Sequence, residues 1–164
     1  RFNNPNRAAA PEGYVAGIAK TTDGGKTWTT VFSKMGEFYF NGIDCWDENN
    51  CAVVGEADSG AAPGARIYIT SDGGKTWTRT MYNAGAANSI MAVRYVSATE
   101  LWAAGGSFTS GLPGHFHHST DGGKTWTLDT VMGAYGTSLS FANGNGYATI
   151  MTPMQVSGVA TYTA

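Results

Sequence analysis

The heptapeptide DGGKTWT at residues 72–78 occurs three times in this chain, and it decides the fold. The other two copies stand at 23–29 and 121–127. Consecutive copies are 49 residues apart (72 − 23 and 121 − 72), a spacing that is typical of repeat architectures. The question it raises is whether the heptapeptide is a part of that architecture or a chemical site used three times.

The residues between the copies repeat more loosely, as short strand-like runs separated by turn residues. The runs are 17–22, 27–32, 42–47, 51–57, 66–71, 76–81, 92–97, 101–107, 115–120, 125–130, 138–143 and 147–152. Four short antiparallel strands in each period of this length are typical of a propeller blade. The sequence therefore predicts an all-β, β-propeller-like array of about three four-stranded antiparallel blades.

One run in each unit lies directly between two turn signals and is rich in small apolar residues. It reads CAVVGEA at 51–57 and LWAAGGS at 101–107. A short, continuous apolar run indicates a strand that is buried on both faces. We expect this run to be an inner strand of its blade, close to a central axis.

The heptapeptide itself is predicted to be a hairpin turn. Glycine supplies the positive φ angles of tight turns, and an aspartate carboxylate can accept hydrogen bonds from the backbone of its own turn. The threonines Thr27, Thr76 and Thr125 are expected to begin the return strands, and the lysines to lie in solvent. The tryptophans are amphipathic anchors that we expect to pack between sheets.

With the residues that precede it, the heptapeptide reads TTDGGKTW at 21–28, TSDGGKTW at 70–77 and STDGGKTW at 119–126. This pattern resembles the Asp-box, or bacterial neuraminidase repeat, and the resemblance extends over nearly all of the chain after residue 13. It implies a β-propeller in which the box forms the hairpin between the two outer strands of a blade, away from any active site. The residues given this structural role are Asp23, Gly25, Thr27, Trp28, Asp72, Gly74, Thr76, Trp77, Asp121, Gly123, Thr125 and Trp126.

The two cysteines, Cys45 and Cys51, enclose the polar stretch WDENN between strand-like residues. That arrangement places the thiols across a short hairpin, where a disulfide is geometrically feasible. A disulfide would indicate an oxidising compartment, whereas two free thiols would suit a cytosolic or plastid protein. We expect the disulfide, and we expect no metal site because two cysteines do not supply four ligands.

The domain organisation is predicted to be an arm at 1–13 followed by a repeat domain at 14–164. The arm is polar and contains proline, and Phe2 is a candidate anchor on a neighbouring subunit. The run GVATYTA at 158–164 aligns with the strand that precedes a box. Propellers have about four to eight blades, so about three blades are expected to leave the ring open. A fragment of a larger propeller, a ring of several copies and a head-to-tail filament all fit this expectation.

Enzymes that carry the Asp-box include sialidases, and resemblance to these would require an arginine cluster with a Tyr/Glu pair and an acid. The arginines stand at unequal places in their units: Arg1, Arg7, Arg66, Arg79 and Arg94. The candidate carboxylate pairs are Asp44 with Asp47 and Glu56 with Asp58, which we interpret as hairpin and loop residues. Glu56 and Asp58 also give a weak signal for a cation. We therefore predict no enzyme activity and no cofactor.

The only histidines form the cluster HFHH at 115–118. Alternation along a strand puts His115 and His117 on one face and His118 on the other. Two imidazoles on one face are metal-ligating residue types, but no carboxylate or thiol stands nearby in sequence. We interpret the cluster as part of a surface or edge strand.

The composition limits the classes of partner that the protein is expected to bind. The net charge is −2 and 13% of residues are charged, without a basic stripe, so we expect no nucleic acid. No apolar run approaches the length of a membrane span. We predict an extracellular or cell-surface, non-enzymatic module that self-associates through its blade edges, with carbohydrate as an open second partner. The alternatives are a partner-binding propeller similar to photosystem II assembly factors, in a plastid or thylakoid lumen, and a fragment of a sialidase-like hydrolase.

Overall fold

A computed structural model describes residues 15–36, 38–57, 60–107, 113–131 and 135–151. These residues form twelve β-strands and no helix. The strands are β1 (Val15–Lys20), β2 (Thr29–Met35), β3 (Tyr39–Cys45), β4 (Cys51–Ala57), β5 (Gly64–Thr70), β6 (Thr78–Ala84), β7 (Asn88–Tyr95), β8 (Leu101–Ser107), β9 (Gly114–Ser119), β10 (Thr127–Val131), β11 (Tyr135–Ala142) and β12 (Asn145–Met151).

The strands form two complete blades and two halves. Strands β3, β4, β5 and β6 make one four-stranded sheet in chain order, which we call blade 1, and β7, β8, β9 and β10 make the second, blade 2. Strands β1 and β2 form the first half-blade, and β11 and β12 form the last half-blade. All pairings are antiparallel. The predicted propeller-like array of four-stranded blades is confirmed, and the described strands do not close into a ring.

The register of the strands shows which part of a blade each half supplies. The β1–β2 pair shifts its register between Ile18 and Ala19, as β5–β6 does between Ile67 and Tyr68. The first half-blade therefore corresponds to the third and fourth strands of a blade. The β11–β12 pair has its shift near its start, as β3–β4 and β7–β8 have. The last half-blade corresponds to the first and second strands.

The small apolar runs are buried inner strands of their blades, as expected, because β4 and β8 are each hydrogen-bonded on both sides. The edge strands β3, β7 and β11 contact one another from blade to blade, and β4 and β8 contact β7 and β11 respectively. The small residues are needed for close packing within the sheet, because a Cβ on Gly55 would stand 2.1 Å from the Tyr39 carbonyl oxygen, and one on Gly105 would stand 2.0 Å from that of Ser89.

Apolar side chains fill the spaces between successive blades. The core between blades 1 and 2 consists of Ala52, Val54, Ala65, Ile67, Ile90, Val93, Leu101 and Ala103. The core beside the first half-blade consists of Ala16, Ile18, Phe38, Val53, Ala57 and Tyr68. Stability therefore comes from contacts between neighbours along the chain, as expected for a repeat array.

The box turns are longer than predicted. The return strands begin at Thr29, Thr78 and Thr127, two residues after the threonines expected to begin them. The cause is the turn itself, which holds those earlier threonines in hydrogen bonds to the box aspartate.

Some predictions fall outside the described residues. They are the arm at 1–13 with Phe2, Arg1 and Arg7, the side chain of Asp58, and the strand at 158–164. Among the residues that the structure describes, no helix has the length and hydropathy needed to span a membrane.

Candidate functional site

Each box is a turn organised around its aspartate. In the second box, Asp72 Oδ1 accepts the Thr76 backbone N–H at 3.0 Å, and Oδ2 accepts the Thr76 hydroxyl at 2.6 Å. The same pair of bonds joins Asp23 to Thr27 and Asp121 to Thr125. The three turns therefore share one hydrogen-bonding scheme, and each is complete within its own hairpin.

The residue two positions before the aspartate was missed as part of this scheme. The Thr70 hydroxyl donates to Asp72 Oδ1 at 2.8 Å and accepts the Gly74 N–H at 3.0 Å. Thr21 and Ser119 make the same two bonds in the other boxes. The signal was present in the sequence, because a hydroxyl residue stands at that position in all three copies.

These hydrogen bonds hold the aspartates as carboxylates. The threonine hydroxyl is the largest cause, followed by the backbone N–H, and together they lower the pKa of Asp23 and of Asp121 to about 2. The same bonds lower the pKa of Asp72 further. Each aspartate thus accepts three or more hydrogen bonds from its own turn, so its carboxylate acts as a structural acceptor.

The two glycines of each box adopt the left-handed conformation that the turn requires. In the second box Gly73 has φ 74° and Gly74 has φ 87°. The backbone of Gly73 also contacts the neighbouring hairpin of the same blade, where its N–H donates to the Asn49 carbonyl at 3.1 Å. The box thus links the two hairpins of a blade at one end.

The box tryptophans pack on the preceding blade, as the sequence predicted for anchors between sheets. Trp126 lies against the core between blades 1 and 2, and its indole N–H contacts the Thr80 hydroxyl of blade 1 at 3.1 Å. Trp77 packs in the same way against the first half-blade. Trp28 belongs to the first half-blade itself and is 62% exposed.

Cys45 and Cys51 form the predicted disulfide, with an S–S distance of 2.09 Å. They are directly opposite in the β3–β4 ladder and close its hairpin. The corresponding closing pair is Tyr95 with Leu101 in blade 2. The disulfide therefore replaces an apolar cross-strand pair.

The two acids of the first candidate pair, Asp44 and Asp47, are each held by hydrogen bonds of their own. Asp44 accepts the Tyr95 backbone N–H at 2.8 Å and lies 3.7 Å from Arg94, so it joins blade 1 to blade 2. Asp47 accepts two backbone N–H groups of its own turn, those of Asn49 and Asn50. Neither carboxylate is positioned as the partner of the other.

Glu56 lies in a different environment from the loop that the sequence suggested. It is 4% exposed at the end of β4, and the Tyr39 hydroxyl donates to its Oε1 at 2.9 Å. Tyr135 lies at the same end of the array, donates to Ser89 at 2.7 Å, and has its pKa raised to about 12 mainly by burial. In the sequence, the signal for this buried polar cluster was a tyrosine or serine near the start of the first strand of each sheet, which is β3, β7 or β11.

Two of the described arginines meet at one aromatic ring. Arg66 and Arg79 lie over Tyr82, 5.6 and 5.0 Å from its centroid, and Arg66 is also buried over the Phe38 ring at 4.7 Å. Arg94 is held by Asp44 in the next interface. Each of these arginines therefore packs on an aromatic ring or pairs with a carboxylate within the array.

The histidines divide as the alternation predicted, but their strand is not an edge. The rings of His115 and His117 lie 6.1 Å apart, and His118 stacks on Trp102 at 4.0 Å from the opposite face. Strand β9 is paired on both sides by β8 and β10, so the surface or edge-strand interpretation is wrong. Burial, with a smaller contribution from His115, lowers the pKa of His117 to about 4. Among the described residues, no group of three metal-ligating side chains comes together.

A cleft of about 620 Å³ lies between blade 2 and the last half-blade. Its walls are largely aromatic, with Trp102 and Phe116 from blade 2 and Phe141 and Tyr147 from the last half-blade. Glu100 lies at its rim, where its Oε1 accepts the Trp102 indole N–H at 3.3 Å and contacts His118 at 3.2 Å. No single sequence motif marks this cleft, because it arises where two units meet.

Comparison with known proteins agrees with the geometry. The model of the BNR/Asp-box repeat family matches residues 68–79 and 117–128, so the chain carries BNR/Asp-box repeats. The described turn at 21–28 has the same hydrogen bonds as the two matched copies. No curated protein matches the sequence.

Among solved structures, YCF48 bound to a D1 peptide has a similar fold, with a TM-score of 0.52 and 17% sequence identity. The match covers 77% of this chain and 47% of that chain, so the present chain spans about half the length of this neighbour. At this identity the likeness establishes the propeller-like fold alone.

Proposed function

We propose that this chain is a non-enzymatic structural module, extracellular or at the cell surface, that self-associates through the open edges of its half-blades. The observation that carries the proposal is their complementarity. The last half-blade supplies the first and second strands of a blade, and the first half-blade supplies the third and fourth. Strand β1 of one copy beside β12 of another therefore gives one four-stranded blade with the strand order of blade 1.

Within the part of the chain that the structure describes, β1 and β12 each have one unpaired edge, and the composition of both strands favours such pairing. Among the described residues, β12 contains no charged side chain, and β1 contains only Lys20. Natural proteins protect exposed strand edges with charges, prolines or short strands, and neither edge carries a proline. Tyr147 and Ile150 of β12 are also large apolar side chains that are 66% and 56% exposed.

The contacts of the candidate catalytic residues support a non-enzymatic role. Asp44 accepts a backbone hydrogen bond that joins two blades, and Asp47 accepts backbone hydrogen bonds that close its own turn. Arg94 is paired with Asp44, and Arg66 is buried. These contacts are those of residues that stabilise an array, and the disulfide supports an oxidising compartment.

The experiment is sedimentation velocity of the full chain over a range of concentrations, followed by negative-stain electron microscopy. We expect concentration-dependent rings or filaments. Ile150→Lys should weaken association because it places a charge on the open β12 edge. Leu128→Lys is the matched control, since it makes the same change at an exposed position of a complete blade. A chain that stays monomeric at every concentration would contradict the proposal.

A further inference from the structure

The cleft between blade 2 and the last half-blade lies at a position that a box tryptophan occupies between the preceding sheets. We call this position the tryptophan seat. Between blades 1 and 2 that seat is taken by Trp126, which packs on the core there. A Cβ placed on Gly123 would meet the Ile69 side chain at 2.9 Å and the Trp126 ring at 3.4 Å, which shows how closely the box packs on blade 1. The same seat one unit earlier is taken by Trp77, packed beside Val31 of the first half-blade.

One unit later the seat is present without a box tryptophan among the described residues. His118 stands 49 residues after Ile69 (118 − 69), and its ring stacks on Trp102, which lines this space. The opposite wall is opened further by a small residue. Gly146 pairs with Phe141 where Leu101 pairs with Tyr95, so a buried leucine is replaced by a glycine.

The reverse holds for Trp28. It is a box tryptophan, but no blade precedes it among the described residues. It is 62% exposed, although its indole N–H donates to Gly25 at 3.1 Å as that of Trp126 does to Gly123. A Cβ on Gly25 would meet only the Trp28 ring, at 4.0 Å, whereas one on Gly123 would meet the Ile69 side chain of the preceding blade. The turn is therefore formed and the aromatic face is left uncovered.

We propose that Trp28 of a second copy occupies the cleft lined by Trp102, Phe116 and Phe141. This rests on the proposed self-association and specifies its central contact. Pairing of β1 with β12 of the other copy extends the last half-blade by the strand that leads into the first box. The box then reaches blade 2 in the way that the box of Trp126 reaches blade 1.

Ring stacking and polar contacts hold the floor of the cleft in place. The Trp102 and His118 rings are nearly parallel, at 13°, and Glu100 contacts a nitrogen of each. The floor is therefore fixed before docking, which lowers the entropic cost of association. A buried tryptophan at the centre of an interface is also the commonest kind of binding hot spot.

The test compares the self-association of the full chain with that of Trp28→Ala and of Trp46→Ala by sedimentation velocity. Trp46 is a matched control because it is also an exposed tryptophan, 48% accessible, on a hairpin outside the boxes. We expect Trp28→Ala to weaken association at least tenfold and Trp46→Ala to change it less than twofold. Circular dichroism of both variants checks that the fold is retained.

A cross-linking experiment locates the contact. A Trp28→Cys chain mixed with a His118→Cys chain under mild oxidation should give a disulfide-linked pair of unlike chains, and a Trp46→Cys chain in place of the first should not. If the unmodified chain associates but Trp28→Ala associates equally well and no such link forms, the inference is overturned while the proposed function stands. If the unmodified chain does not associate at all, both fail together.

Discussion

The indole N–H of Trp126 donates to the Thr80 hydroxyl across the boundary between blades 1 and 2, at 3.1 Å. Val31 takes the place of Thr80 one unit earlier, 49 residues before it (80 − 31), and it offers no acceptor. Accordingly, Trp77 Nε1 is buried without a hydrogen-bond partner among the described residues. The two interfaces therefore differ in the hydrogen bonding of their tryptophan, and one difference is the hydroxyl group at the position of Thr80.

Exchanging these residues should change stability in opposite directions. Val31→Thr is expected to raise the free energy of unfolding by about 1 kcal/mol, because it supplies an acceptor to a buried donor. Thr80→Val should lower it by a similar or smaller amount, since Trp126 keeps its bond to Gly123. Urea denaturation followed by tryptophan fluorescence measures both. Equal effects of the same sign would argue against the pairing of these positions.

Removing the charge of a box aspartate should destabilise the protein, and more so in the second box than in the first. Asp72→Asn weakens charge-assisted bonds to Thr70 and Thr76, and Thr70 is buried against its blade. Asp23→Asn changes the same bonds in an exposed turn. Thermal unfolding by circular dichroism should show the larger fall in Tm for Asp72→Asn. Asp129→Asn, at an exposed strand position outside a box, is the control and should leave Tm unchanged.

Acid should destabilise the fold first through His117. Its pKa is about 4 in the folded protein and 6.5 when it is solvated, so below pH 6.5 the unfolded chain binds a proton that the folded one excludes. Stability is therefore fully present above pH 6.5 and falls between pH 6.5 and 4, by roughly 3 kcal/mol over the whole window.

The control for this prediction is His117→Tyr, which introduces the residue that blade 1 has at the corresponding position, Tyr68. The variant should lose most of the dependence between pH 6.5 and 4. It should keep the later fall below pH 4, where the box aspartates Asp23 and Asp121, with pKa values of about 2, begin to bind protons in the unfolded chain. The measurement is the free energy of unfolding in urea at several pH values. If another group were responsible, this free energy would depend on pH in His117→Tyr as it does in the unmodified chain.

Loss of the disulfide should cost little. Cys45 and Cys51 enclose a short loop, so the chain entropy removed from the unfolded state is small. The double variant Cys45→Ala/Cys51→Ala is expected to lose about 2 kcal/mol. Chemical denaturation with and without reductant measures this, and reductant should have no effect on the variant. A loss large enough to abolish folding would show that the hairpin depends on the bond.

The sequence was most informative where a motif is local. The period, the three box turns and the hairpin that brings Cys45 to Cys51 each depend on residues within a few positions of one another. Contacts that depend on two units together were not predictable from one of them. The return strands, for example, begin at Thr29 and its counterparts because the box aspartate holds the preceding threonine in the turn.

Burial explains the remaining errors. The histidine strand contains residues that suit an exposed edge, yet β10 covers it because β10 continues the sheet beyond the box. Glycine at 146, in the place of Leu101, opens the aromatic cleft further, and this appears only when the two strands of the last half-blade are aligned with blade 2.

The self-contained bonding of the box has a genetic consequence. Every hydrogen bond from Asp72 to Thr76 lies inside the identical heptapeptide, and the same is true of Asp121 and Thr125. An unequal crossover within that stretch would delete or duplicate one 49-residue cassette while leaving each turn chemically intact. The reading frame and the order of the strands would both be conserved. The array could therefore change its length by whole blades, and each product would keep complete box turns.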